Sequence, residues 1–127
     1  MTNIKLFLLA CVGAIGTLMS YSVFVFFSSR CPSFPCATLF VNMSGALVAG
    51  FLREMFFLVP VSYSMKIIVT VGLLGAFTTY SAFVWEVVAL VRDGFIMRGL
   101  GYMFFTNIAG VILICVGIFI ARLIFAQ

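Results

Sequence analysis

Four long apolar runs, separated by only a handful of turn-forming residues, leave this chain almost no choice of solvent. The hydrocarbon core of a bilayer, about 30 Å thick, takes roughly 20 residues of helix to cross. Backbone inside it must satisfy its own hydrogen bonds, so runs of this length are read as transmembrane helices. The runs are Ile4 to Phe27, Ala37 to Leu58, Met65 to Val91 and Met97 to Phe125. With 65% hydrophobic and 8% charged residues, the chain lacks the polar surface of a soluble domain, where about a quarter of residues are charged. Its mean hydropathy of +1.35 says the same. A length of 127 residues accommodates these four spans and little else, so 1–127 is expected to be a single all-α membrane domain.

The connections carry suitable punctuation: Arg30 to Pro35, Pro60 to Ser64, and Arg92 to Gly94. Leu8 to Cys11 resembles a lipoprotein cleavage site, but the apolar run before it is too short for a signal h-region. Gly13 onward continues as a full span, so no cleavage is expected.

One stretch interrupts this pattern. Gly72 to Phe83, reading Gly-Leu-Leu-Gly-Ala-Phe-Thr-Thr-Tyr-Ser-Ala-Phe, places glycines and hydroxyls inside the third span and predicts a broken helix. Irregular backbone at membrane depth is tolerated only where protein buries it or where it lines a cavity, so a break marks an ion or solute site.

Elsewhere the small residues suggest packing. Gly13 with Gly16, Ala46 with Gly50, and Gly110 with Gly117 each share a helical face and are expected at helix contacts. Cys11 and Cys115 fall within spans and read as buried small apolar side chains. Cys31 and Cys36 share a loop but lack further ligands for a metal, and read as two unrelated thiols.

Polar groups at depth are costly, and each is a candidate for function. Asn42 in span two offers two amide donors and one acceptor. Alone it could equally well be an interhelical hydrogen bond. On span three, Tyr80 and Phe83 lie three residues apart on one side, with Thr79 and Ser81 beside them. Aromatic rings carry a positive edge, so ring edges plus an amide N–H would suit a small anion without a fixed cation to trap it. Glu86 reads as the only acid within a span, placed at a vestibule or paired with Arg92. Catalysis is not expected: the chain has no histidine, and three scattered acids assemble no nucleophile–base pair. Seven basic residues near span ends and in loops read as interfacial anchors rather than a nucleic-acid surface.

Asn42 within Thr38-Leu-Phe-Val-Asn-Met-Ser-Gly-Ala-Leu-Val-Ala-Gly50, followed by the Gly72 to Phe83 run and Glu86, resembles the Fluc (CrcB) fluoride channels. The resemblance spans nearly the whole chain. It implies an antiparallel, dual-topology dimer in the bacterial plasma (inner) membrane, with two fluoride pores along the interface and a structural sodium ion at its centre. It further implies that Asn42 donates to fluoride, that Phe83 and Tyr80 form the aromatic pair of the pore, and that Thr79 and Ser81 edge the break. Thr106 would line the anion path on span four, and the carbonyls of Gly75 and Thr78 would hold the sodium. The chain departs from the family pattern at three places. Ser20 and Tyr21 stand where an arginine beside an aromatic residue closes the span-one motif, Tyr80 replaces a phenylalanine, and Gly110 replaces a serine often found on span four. A related second subunit could therefore complete one pore as a heterodimer.

Two other classes compete with a passive fluoride channel. A small multidrug-type exporter is also a four-span antiparallel dimer but needs a buried acid in span one, and none is present here. A non-transporting assembly subunit would leave Asn42 and the Thr-Thr-Tyr-Ser run without a purpose. Charge counting bears on orientation. With alternating spans, Lys5, Arg53, Lys66 and Arg122 share one side and Arg30, Arg92 and Arg98 the other, a near balance that fixes neither orientation.

Overall fold

The computed structural model describes residues 3–126. Among them all regular structure is helical: α1 (Asn3–Ser28), α2 (Cys36–Leu58), a segmented third unit, and α6 (Ile96–Phe125). The third unit comprises α3 (Tyr63–Ile67), a π-helical stretch (Ile68–Leu74), α4 (Gly75–Phe77) and α5 (Tyr80–Arg92). Four segments are long and apolar enough to cross a membrane: Asn3–Ser28, Cys36–Leu58, Tyr63–Arg92 and Ile96–Phe125. Each begins and ends within two residues of the sequence expectation.

Local chemistry accounts for the ends. Val59 precedes Pro60, whose ring bars the residue before it from helical geometry, and Val59 is accordingly extended at φ −113°, ψ 134°. Ser62 then caps α3 by accepting the Met65 amide. After Arg92 the chain reverses through Gly94, whose φ of +89° is a conformation that glycine adopts without penalty.

Helices associate through close backbone approach. Between α2 and α6, a Cβ on Gly50 would strike the Ile114 backbone, and one on Gly117 would strike the Leu47 carbonyl and Phe51 amide. Gly110, expected to share that role, makes only an ordinary contact with the Met43 methyl at 3.7 Å. α1 packs chiefly on the π-helical stretch and α4. There a Cβ on Gly16 would meet the Leu73 carbonyl, while Gly72 lies against Leu9 and Val12. The buried core is correspondingly small and centres on α2, where Thr38 and Val41 are fully enclosed.

Most large apolar side chains face outward, as lipid requires of a protein with no aqueous surface at that depth. Cys11 and Cys115 are among the outward residues and are not buried as expected, because a small apolar thiol is compatible with hydrocarbon. Cys31 and Cys36 are half-buried and unbridged.

Candidate functional site

The site is built around two residues that leave the helix. Thr78 (φ −83°, ψ 153°) and Thr79 (φ −140°, ψ 112°) are extended between α4 and α5. Of the glycine-rich run Gly72 to Phe83, only this pair is non-helical; the residues before it are α-helical or wound into the wider π form. π turns inside helices recur at functional sites.

Asn42 reaches the pair from α2. Its Nδ2 donates to the Thr79 carbonyl at 2.8 Å, and the Thr79 amide donates back to Oδ1 at 2.9 Å. One amide thus serves both backbone groups of an extended residue, as a neighbouring strand would. One Nδ2 hydrogen remains for another acceptor. Gly45, one turn along α2, leaves room for Thr78, whose methyl occupies the space a Cβ would need. Thr79 also caps α5 by accepting the Ala82 amide on Oγ1 at 3.3 Å, with Ser81 Oγ 3.5 Å away.

Tyr80 and Phe83 come together with ring centroids 5.9 Å apart at 49°. They differ in surroundings. Tyr80 projects from the surface, whereas Phe83 is buried and meets Tyr102 edge-on at 5.2 Å. Tyr102 in turn meets Phe34 edge-on at 5.4 Å, so four rings run in a line from the α1–α2 connection to the break. Thr106 lies one turn beyond Tyr102 on the same face of α6. Its buried Oγ1 is, among the described residues, the enclosed side-chain oxygen without a hydrogen-bond partner.

Of the two places expected for Glu86, the pairing with Arg92 is not found: Glu86 accepts the Thr38 hydroxyl at 2.5 Å and the Tyr102 hydroxyl at 3.0 Å, and it borders an open cleft of about 410 Å³. Hydroxyls held at depth by α2 and α6 are nearer to it than a guanidinium at the helix end. Nor is Glu86 the only acid in a span: Glu54, within α2, pairs with Arg122 at 2.6 Å. Thr38 and Tyr102 were not singled out from the sequence, although each lies four residues from one that was, Asn42 and Thr106 respectively, and so shares its helical face.

Gly75 and Thr78 line one open cleft of about 310 Å³ together with Asn42, Gly45 and Thr70. Among the described residues no three His, Cys, Asp or Glu side chains gather as metal ligands. A cation at this place would therefore be held by uncharged oxygens, of the backbone or of Asn and Thr side chains. A second cleft of about 750 Å³ opens at the end where Arg53, Glu54, Lys66 and Arg122 meet.

Four membrane-length segments, with a polar and aromatic cluster gathered at an interrupted third segment, define a multi-pass membrane protein with a candidate site within its spans. Residues 7–118 match the family model described as CrcB-like protein, Camphor Resistance (CrcB), and the chain belongs to that family. Relatives named fluoride-specific ion channel FluC include one from Desulforapulum autotrophicum, 39% identical over 94% of this chain and 98% of its own length. Another, from Rhizobium meliloti, is 39% identical over 72% of this chain and 74% of its own length. A third, from a Hydrogenobaculum strain, is 29% identical over 88% of this chain and 93% of its own length.

Proposed function

We propose that this chain is a fluoride channel that lets fluoride leave the cytoplasm passively, working as an antiparallel dual-topology dimer in the bacterial plasma membrane. The observation that carries the reading is the Asn42-clamped interruption beside Phe83, in a chain whose relatives are named as fluoride-specific channels. Fluoride, a small and strongly hydrated anion, needs donors that replace water without holding it. The free Nδ2 hydrogen of Asn42, the edges of Phe83 and Tyr80, and the hydroxyls of Thr106, Thr79 and Ser81 supply weak donors of that kind. The Thr106 hydroxyl, enclosed and unpartnered, suits an anion path because a buried donor left unmet is costly.

Gly75 and Thr78 fit a structural sodium at the dimer centre, since a hard cation takes oxygen ligands and irregular backbone presents carbonyls to a cleft. An exporter of the small multidrug type has less support, because α1 holds no acid.

Liposomes containing the purified protein and loaded with fluoride should release it while retaining chloride. Phe83→Ile should cut the fluoride flux roughly tenfold or more, about 1.4 kcal/mol on the barrier, in an intact dimer. Equal release of both anions, or none, would sink the assignment. For topology, an impermeant thiol reagent should reach about half the copies of a loop cysteine introduced into a background lacking Cys31 and Cys36, since a two-fold axis in the membrane plane needs both orientations. Labelling of all or none would mean a fixed orientation.

A further inference from the structure

In an unbroken helix the Thr79 amide would donate to the Gly75 carbonyl and the Ala82 amide to the Thr78 carbonyl, each four residues back. Both donors are diverted here onto side chains. The Thr79 amide goes to Asn42 Oδ1 at 2.9 Å, and the Ala82 amide to Thr79 Oγ1 at 3.3 Å. Among the carbonyls that lose helical partners at the break are those of Gly75 and Thr78, and both residues border the same cleft. Direction follows as well as availability. The Thr78–Thr79 peptide is trans, so its N–H and C=O point opposite ways. With the N–H pinned on Asn42 Oδ1, the Thr78 carbonyl points away from that oxygen and is not taken up by the Asn42 amide.

We propose that Asn42 is a positioning residue for a cation cradle. Its Oδ1 withholds the Thr79 amide from the Gly75 carbonyl and fixes the plane that aims the Thr78 carbonyl, while its Nδ2 bond to the Thr79 carbonyl stops the segment from rewinding. The residue that offers one amide hydrogen to the anion thereby also presents two oxygens to the cation. The inference rests on reading Gly75 and Thr78 as the sodium-holding pair, and it adds what makes those carbonyls available. At membrane depth a carbonyl without a partner is unfavourable, and a bound cation offsets that penalty.

The test compares the full-length protein in detergent with sodium or with N-methylglucamine as the cation, reading melting temperature and hydrogen exchange at the Thr79 amide. A ligand that binds only the folded state raises the melting temperature, so the parent should melt higher in sodium. Asn42→Leu keeps a similar apolar bulk but removes both bonds, and should lose the sodium-dependent rise together with protection at Thr79. Asn42→Ala also removes both bonds without adding bulk or charge, and should likewise lose the rise and the protection at Thr79. If Asn42→Leu does not fold, Asn42→Ala decides: a lost rise supports the inference and a retained rise overturns it. A parent indifferent to sodium overturns the cation reading beneath the inference, whereas a rise that survives Asn42→Leu overturns the inference alone and leaves Asn42 as an anion donor only.

Discussion

The α2–α6 contact and the contact between α1 and the third unit are built from the same residue type, yet they do different things. Where α2 crosses α6, Gly50 and Gly117 bring two regular helices backbone to backbone. Where α1 meets the third unit, Gly16 and Gly72 bring a regular helix against backbone that is already π-helical and about to leave the helix altogether. Close approach of two intact helices gives a rigid wall. The same approach to irregular backbone instead encloses carbonyls and amides that would be intolerable in lipid, and so makes room for a site.

Each side of this comparison can be tested by adding a Cβ. The largest effect is expected at the wall, where Gly117→Val would drive a side chain into the Leu47 carbonyl and Phe51 amide. It should destabilise the protein by about 3 kcal/mol and reduce the yield of folded protein on size exclusion. Gly110→Ala, facing only the Met43 methyl, should stay within about 0.5 kcal/mol of the parent. A parent-like melting curve for Gly117→Val would show that the two helices are free to part.

A middling effect is expected at the other contact. Gly16→Ala would press on the Leu73 carbonyl and displace the π-helical stretch, with a loss of about 1–2 kcal/mol and a fall in fluoride flux beyond any loss of folded protein. Gly13→Ala has 3.7 Å to the Gly72 carbonyl and should be neutral or stabilising by up to about 1 kcal/mol, as alanine favours helix. If the two substitutions behave alike, α1 is not seated on the third unit as described. The smallest effect is expected at the rim. Arg122 pairs with Glu54 but its side chain is 63% exposed, so Arg122→Ala should cost less than about 1 kcal/mol, and less still in high salt. A larger loss in a chemical-unfolding series would mean that this end is closed off from water.

How far the sequence could be read follows from the same division. The spans were legible because bilayer thickness dictates the length of an apolar run, and every segment end lies within two residues of its expected place. The Gly72 to Phe83 run pointed to the right segment but not to the two residues that leave the helix. The π-helical stretch was invisible, since Ile68 to Leu74 contains nothing that a plain α-helix would refuse. Asn42 stood out as a polar group at depth. Its partner did not, because a backbone amide and carbonyl leave no signature in residue type. The one partner the sequence offered Glu86 was Arg92, near it in the chain, whereas its hydroxyl partners Thr38 and Tyr102 come from other spans.

Lys66 illustrates how a single contact alters a count made from sequence. Its ammonium donates to the Phe56 carbonyl at 2.8 Å and lies over the Phe56 ring, near the negative end of the α2 dipole. Charge held inside the molecule in this way has less to offer the membrane surface. Arg30 on the other side is held in the same way, donating to the Phe26 carbonyl at 2.7 Å and lying over the Phe26 ring, so setting both aside leaves Lys5, Arg53 and Arg122 against Arg92 and Arg98. Under the dual-topology reading, each remaining charge is then a third or a half of the vote on its side. After a gene duplication, one or two basic substitutions in each copy would suffice to send the products into the membrane in fixed and opposite orientations, turning one self-pairing chain into an obligate pair.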